Sequence, residues 1–122
     1  MDTVATLHAW AATASAVLAV GLVILGSLDG LGVVRAVRWL DRLIVVLLVA
    51  VCVAGFLGPI LVLAVAPPAE LIHFLYAAIA LLATPLARLE SMRRHSARVG
   101  WWVAAGGLLT LGAVLRLWAT GA

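Results

Sequence analysis

The 122-residue sequence has no lysine, a single cysteine and few charged residues, since Asp, Glu, Lys and Arg together make up only 11% of it. Charged residues make up about a quarter of an ordinary soluble domain, so this composition excludes one. The lone Cys52 excludes an intrachain disulfide. The chain also lacks a Ser-His-acid set, a glycine-rich phosphate loop and paired carboxylates, which argues against conventional enzyme chemistry.

Hydrophobic residues make up 66% of the chain and fall mainly in four runs, 4–26, 43–65, 71–87 and 99–119. Each run is near the ~20 residues that a helix needs to cross about 30 Å of hydrocarbon. Lipid offers backbone groups no hydrogen-bond partner, so runs of this kind form helices. The sequence therefore predicts an all-α fold, with residues 1–122 forming a single transmembrane four-helix bundle of up-down-up-down topology.

Two features bear on where these helices begin and end. Pro85, near the end of the third run, predicts either a bend or the exit of that helix from the bilayer. Gly30 and Gly32 break the chain after the first run, and nothing breaks it afterwards. The second helix is therefore expected to extend out of the membrane over residues 33–41.

The arginines are concentrated in two of the three connections between spans. By the positive-inside rule, arginine-rich connections face the cytoplasm. The remaining connection, residues 66–70, has no positive charge and is therefore expected to face outward. We therefore expect a multi-pass protein of the bacterial cytoplasmic (inner) membrane, with both termini outside and the lipid bilayer as its main partner. Nucleic acid is not an expected partner, because no binding motif surrounds the arginines. The seven arginines of the connections are Arg35, Arg38, Arg42, Arg88, Arg93, Arg94 and Arg98.

Three polar residues lie near the outer boundary at similar depth. In the predicted topology the first and third spans both run inward from the outer face, with His8 and His73 a few residues into them. At about 1.5 Å of rise per residue, both imidazoles lie roughly 3 to 6 Å below the boundary. Arg116 returns to a compatible depth near the outer end of the fourth span. A charge inside a span is costly, so Arg116 is a functional candidate.

This arrangement predicts a haem held between parallel helices. A haem iron takes two axial imidazoles from opposite sides, which makes His8 and His73 its candidate ligands. Arg116 would pair with the haem propionates, and Tyr76, on the same side of its helix as His73, would line the haem edge. In the alternative interpretation, the two histidines reach headgroups or water, and Arg116 extends its side chain outward to the interface. His95 is expected to be a solvated loop residue.

Small residues on the spans allow two interpretations. Gly55 and Gly58 occupy the outer half of the second span, and Gly106 and Gly107 share a face of the fourth. Such faces either let helices pack closely or leave a slot for a flat cofactor, with Gly55 and Gly58 beside it. The sequence leaves both uses open.

The chain resembles the repeated four-helix half of the haem A synthase family over three stretches, residues 38–42 (RWLDR), 54–62 (AGFLGPILV) and 71–77 (LIHFLYA). In that family, histidines on one helix and on the helix two further along bind a b-type haem, with a Leu-Gly pair on the helix between. The resemblance thus implies axial roles for His8 and His73. The chain departs from the family in being one four-span unit rather than two. It also has Ala54 where glutamine is usual, and it lacks an acidic residue ahead of His8 like that of the family's catalytic helix.

A second resemblance is to small four-span bacterial membrane proteins of the b-type cytochrome kind. Residues 68–76 are similar to a Pro-x-x-x-x-His-x-x-Tyr pattern in such proteins. This resemblance implies no particular enzymatic activity.

Three hypotheses follow. The first is a protein that binds haem b through His8 and His73 and transfers electrons near the outer face, alone, as a homo-oligomer or within a larger membrane redox complex. The second is a cofactor-free structural or accessory subunit whose Gly and Ala faces contact partner proteins. The third, a solute or metal transporter, is disfavoured because the spans lack central carboxylates and interrupted helices.

Overall fold

The computed structural model describes residues 2–64, 72–95 and 98–121. Within these residues lie four α-helices: α1 (Asp2–Gly30), α2 (Val37–Ala64), α3 (Ile72–Arg93) and α4 (Val99–Gly121). All four are long and apolar enough to cross a membrane, which indicates a multi-pass membrane protein. The predicted all-α four-helix bundle is therefore confirmed. Residues 65–71, which include the expected connection at residues 66–70 and the expected start of the third span, lie outside the described part.

Helix α3 continues through Pro85 and ends at Arg93 rather than near residue 87, so the proline does not end the helix. The residue before it, Thr84, is buried and shares a hydrogen bond of 2.9 Å with the hydroxyl of Thr110 on α4. Beyond the proline, the Glu90 carboxylate accepts a hydrogen bond from Arg93 at 2.5 Å. The helix therefore continues on both sides of the proline, which removes one backbone hydrogen bond.

The prediction of a helix over residues 33–41 is wrong for its first part, because α2 begins only at Val37. Helix α1 instead closes with the Val33 N–H donating to the Leu28 carbonyl at 3.0 Å. Gly32 has a φ of +78°, the left-handed conformation that this type of helix end requires. The chain therefore turns sharply before α2 starts.

The carboxylate of Asp29 fixes the path of the chain into α2. Its Oδ1 accepts a hydrogen bond of 2.8 Å from the N–H of Ala36, which is buried. This contact supplies a partner for a backbone donor just ahead of the helix, where no backbone carbonyl is in position to accept it. A short, structured connection thus joins α1 to α2.

Helix α4 packs closely against both α1 and α3, and glycines lie at the points of closest approach. A Cβ atom added to Gly26 of α1 would lie 2.7 Å from the carbonyl oxygen of Gly100 of α4. A Cβ added to Gly106 would lie 2.9 Å from the Cβ of Ala87 of α3, and one added to Gly107 would lie 3.3 Å from the carbonyl oxygen of Ala19. At these positions small residues serve close helix packing.

Helix α2 packs mainly against α1, and its contact with α3 is less extensive than the other contacts between neighbouring helices. It buries a stripe at helical spacing, formed by Leu40, Ile44, Leu47 and Val51. A bidentate ion pair links it to α3, with the Asp41 carboxylate accepting from Arg88 Nε at 2.6 Å and from a second guanidinium nitrogen at 3.2 Å. Helices α1 and α3 lie diagonally across the bundle.

The buried core is displaced toward one end of the bundle. We call the end formed by residues 26–42 and 88–101 the arginine-rich end, and the end formed by residues 3–14, 52–60, 72–79 and 115–119 the histidine end. Buried side chains lie in the middle of the bundle and at the arginine-rich end, from Ser15 of α1 to Ala36 and Ser91. At the histidine end, none of the side chains that the structure describes is buried.

Candidate functional site

His8 lies on α1 at the histidine end and points toward α2. Its Nδ1 lies 3.0 Å from the carbonyl oxygen of Ala54, in the second half of α2. A carbonyl oxygen can only accept a hydrogen bond, so Nδ1 donates its proton in this contact. His8 is therefore oriented by a backbone group in the way that metal-binding histidines commonly are.

His73 lies near the start of α3 and faces the same end of the bundle. Its imidazole is hydrogen bonded to the backbone of Leu117 on α4 and lies within electrostatic range of His8. It also makes an edge-to-face contact with the adjacent Phe74, with ring centroids 6.1 Å apart. The two histidines, which are separated in sequence and carried by diagonal helices, thus lie at the same end of the bundle.

Arg116 and Tyr76 form a second pair at this end. The Arg116 guanidinium carbon lies 5.5 Å from the centroid of the Tyr76 ring, a distance at which a cation is attracted to an aromatic face. Tyr76 is half-buried and lies one turn from His73, whereas Arg116 is exposed. Arg116 and Tyr76 thus lie at the end of the bundle that carries the histidines.

The two glycines of the predicted slot differ in position. A Cβ added to Gly58 would lie 3.6 Å from Cε1 of His8, so this glycine lies directly beside the imidazole. Gly55 is exposed, and a Cβ added there would meet nothing within 4 Å. The structure therefore places Gly58, but not Gly55, next to His8.

The surroundings of the histidines are loosely packed and poor in further metal ligands. Within residues 2–64, 72–95 and 98–121, no group of three or more His, Cys, Asp or Glu side chains could hold a metal ion. Two imidazoles alone suit a cofactor that brings its own equatorial ligands, as a porphyrin does, better than a tetrahedral zinc ion.

Two shallow grooves lie elsewhere on the described surface. One, of about 460 Å³, runs along the exposed face of α2 from Val45 to Leu57. The other lies between α3 and α4, near Ala83 and Trp102. Neither groove is lined by His8 or His73, so neither belongs to the candidate site.

Sequence reasoning missed two kinds of contact. The carbonyl groups of Ala54 and Leu117, which receive the imidazoles, have no side-chain signature and could not be found from residue types. The pair of Asp41 and Arg88 did leave a signal, because both residues flank a predicted arginine-rich connection and few carboxylates occur in the chain.

Comparisons of the chain with protein-family models, with curated proteins and with solved structures found no match. The functional inference therefore depends on the residues of the candidate site and their geometry.

Proposed function

We propose that this chain binds haem b between His8 and His73 and serves as a membrane electron-transfer protein, alone, as a homo-oligomer or as a subunit of a larger redox complex. The observation that carries the proposal is that α1 and α3 carry His8 and His73 at the same end of the bundle, with His8 hydrogen bonded to the backbone of α2. When bound, a bis-histidine haem supplies one-electron transfer.

The hydrogen bonds of the two histidines support this role. His8 bonds to the Ala54 carbonyl, and His73 bonds to the backbone of Leu117, so each ring is tied to a neighbouring helix through one nitrogen. In His8 the second nitrogen, Nε2, would be the iron ligand, because Nδ1 is already bonded to the carbonyl. The backbone contacts would hold the rings in orientation before any cofactor arrives.

The loose packing of the histidine end also supports the proposal. A porphyrin needs a wide apolar space, and none of the described side chains of this end is buried. The ion pair between α2 and α3 lies at the other end, at Asp41 and Arg88, so it would not obstruct access from the bilayer. Arg116, stacked on Tyr76, would provide the cation for the propionates.

The proposal includes an up-down-up-down bundle in a bacterial cytoplasmic membrane with both termini outside. The contacts of Gly26 with Gly100 and of His8 with Ala54, each joining the start of one helix to the end of another, support this topology. The seven arginines at one end support an orientation with that end in the cytoplasm.

The test is the absorption spectrum of the protein purified in detergent from haem-supplemented cells, before and after dithionite reduction. We expect a Soret band with sharp reduced bands in the wild type and their loss in His8→Ala and in His73→Ala. His95→Ala is the matched control, because His95 is exposed in the turn after α3 at the opposite end.

The control variant should keep the full spectrum. A wild-type protein without a chromophore would overturn the proposal, and so would a haem spectrum that survives both His8→Ala and His73→Ala.

The exposed position of Gly55 favours a second candidate, a cofactor-free structural or accessory subunit. Gly55 lies on α2 among the exposed side chains of Val53 and Phe56, where a partner helix could approach closely.

If the chain is such a subunit, Gly55→Leu should block its assembly into a larger complex, measured by size-exclusion chromatography of membranes solubilised in mild detergent. Gly112→Leu, a glycine of α4 with nothing within 4 Å, is the control. Unchanged assembly in Gly55→Leu would count against this candidate.

A further inference from the structure

The arginine-rich end contains three described carboxylates, and each already has a partner. Asp29 accepts the backbone N–H of Ala36, and Asp41 accepts the guanidinium of Arg88. Glu90 accepts hydrogen bonds from Arg93 at 2.9 Å and from Arg94 at 2.6 Å. The carboxylates that form ion pairs at this end therefore pair mainly with arginines of α3.

The arginines around the start of α2 have a different environment. Arg35, Arg38 and Arg42 are all exposed, and none of them forms an ion pair with a carboxylate in the described part of the chain. Arg38 and Arg42 lie four residues apart on α2 and so share one face of the helix. Arg42 also stacks on Trp39, with its guanidinium carbon 5.1 Å from the ring centroid. These cations are available to an external anion.

The same segment exposes hydrophobic side chains between and beside these arginines. Leu31 and Val33 are each 66% exposed, and Trp39 is 61% exposed. Val34 and Val37 are also exposed. A segment that alternates exposed aliphatic groups with unpaired arginines suits the boundary between headgroups and acyl chains, where tryptophan is also favoured.

We propose that residues 31–42 form a binding site for the headgroup of an anionic phospholipid in the leaflet that the arginine-rich end faces. Arg35, Arg38 and Arg42 bind the phosphate, and the aliphatic side chains of residues 31–37 contact the upper acyl chains. Charge complementarity selects an anionic lipid over a zwitterionic one. The site is independent of haem binding at the opposite end.

Native mass spectrometry of the detergent-solubilised protein, titrated with phosphatidylglycerol or phosphatidylcholine, tests the site. Each arginine near an anionic surface contributes about fivefold in affinity, so Arg38→Gln/Arg42→Gln should weaken binding of the first phosphatidylglycerol by about 25-fold. Arg93→Gln/Arg94→Gln is the matched control, because it removes the same net charge from arginines that already pair with Glu90. We expect the control to change the affinity by less than about fivefold.

Further measurements keep the test independent of folding. Arg38→Lys/Arg42→Lys preserves charge and should retain most of the selectivity for phosphatidylglycerol, with helical circular dichroism confirming that every variant is folded. Free glycerol phosphate should not compete, because it lacks the acyl chains that residues 31–37 contact. Equal loss in the two glutamine double variants, equal affinity for the two lipids, or competition by glycerol phosphate would each overturn the proposal.

Discussion

The two ends of this bundle are built differently although the same four helices form both. At the arginine-rich end, α1 and α4 approach so closely that a Cβ on Gly30 would lie 2.7 Å from the ring of Trp101. Ion pairs and a helix-ending turn complete that end. At the histidine end, the helices carry His8, His73 and Arg116 but bury none of the described side chains.

This difference indicates that close packing and candidate ligand-binding residues lie in separate regions of this small membrane bundle. In lipid, helices associate through close packing and polar contacts rather than through removal of apolar surface from water. The arginine-rich end uses both and can hold the bundle together. The histidine end contributes little packing, so its polar residues can serve a ligand.

The largest expected effect concerns the glycines of α1. Gly26→Ala places a Cβ 2.7 Å from the carbonyl oxygen of Gly100 and should lower the free energy of unfolding by about 1–3 kcal/mol. Gly21→Ala on the same helix meets nothing within 4 Å and should be neutral or stabilising by up to about 1 kcal/mol. Unfolding by SDS in mixed micelles, followed by circular dichroism, measures both.

Opposite signs for Gly26→Ala and Gly21→Ala would show that the close approach of α1 to α4, and not the loss of a glycine as such, sets the effect at Gly26. Equal effects would contradict this, because they would show that close approach to α4 is not what distinguishes the two positions.

A smaller effect is expected from the ion pair between α2 and α3. A double-mutant cycle with Asp41→Asn and Arg88→Gln should give a coupling free energy of about 0.5–1 kcal/mol, since the Asp41 side chain is 47% exposed and partly screened. The same cycle on Glu90 and Arg93, which lie within one helix, is the control and should show weaker coupling to the stability of the bundle. Coupling no larger for Asp41 and Arg88 than for the control would contradict a role in joining α2 to α3.

The smallest effect is expected at the histidine end. In the ligand-free protein, His8→Ala removes one hydrogen bond to the Ala54 carbonyl and should lower the free energy of unfolding by about 0.6 kcal/mol or less. If haem occupies the site, the same substitution should destabilise the haem-supplemented protein further, because a bound ligand adds to stability. A large loss of stability without ligand, measured by the same SDS titration, would mean that the histidine is a packing residue.

The similar position of the candidate residues along their helices could be predicted from the sequence, because depth in a membrane follows from position along a helix. Counting residues from the boundary put His8, His73 and Arg116 toward one end of the bundle, where their helices carry them. The contact of Arg116 with Tyr76 was not predicted. Whether Gly55 faces the site could not be predicted, because that depends on the rotation of α2 about its own axis. The structure turns Gly58 toward His8 and leaves Gly55 on the surface.

The connection after α1 shows a different limit. The glycines at 30 and 32 predicted a break, and the break is present, but the start of α2 was placed four residues too early, at residue 33 instead of Val37. The Asp29 carboxylate and the left-handed Gly32 together extend the turn to Ala36. A side chain that bonds to a backbone group seven residues away has no periodic signature in the sequence.

The sequence by itself determined the class of this protein, because hydrophobic length, arginine distribution and the depth of each polar residue are properties of order along the chain. Only the tertiary structure decided which glycines lie at helix crossings, that Asp41 meets Arg88, and that the core lies away from the histidines. Those features depend on how each helix is rotated and crosses its neighbours. Rotation and crossing are set by the packing of side chains between helices, which no single helix specifies alone.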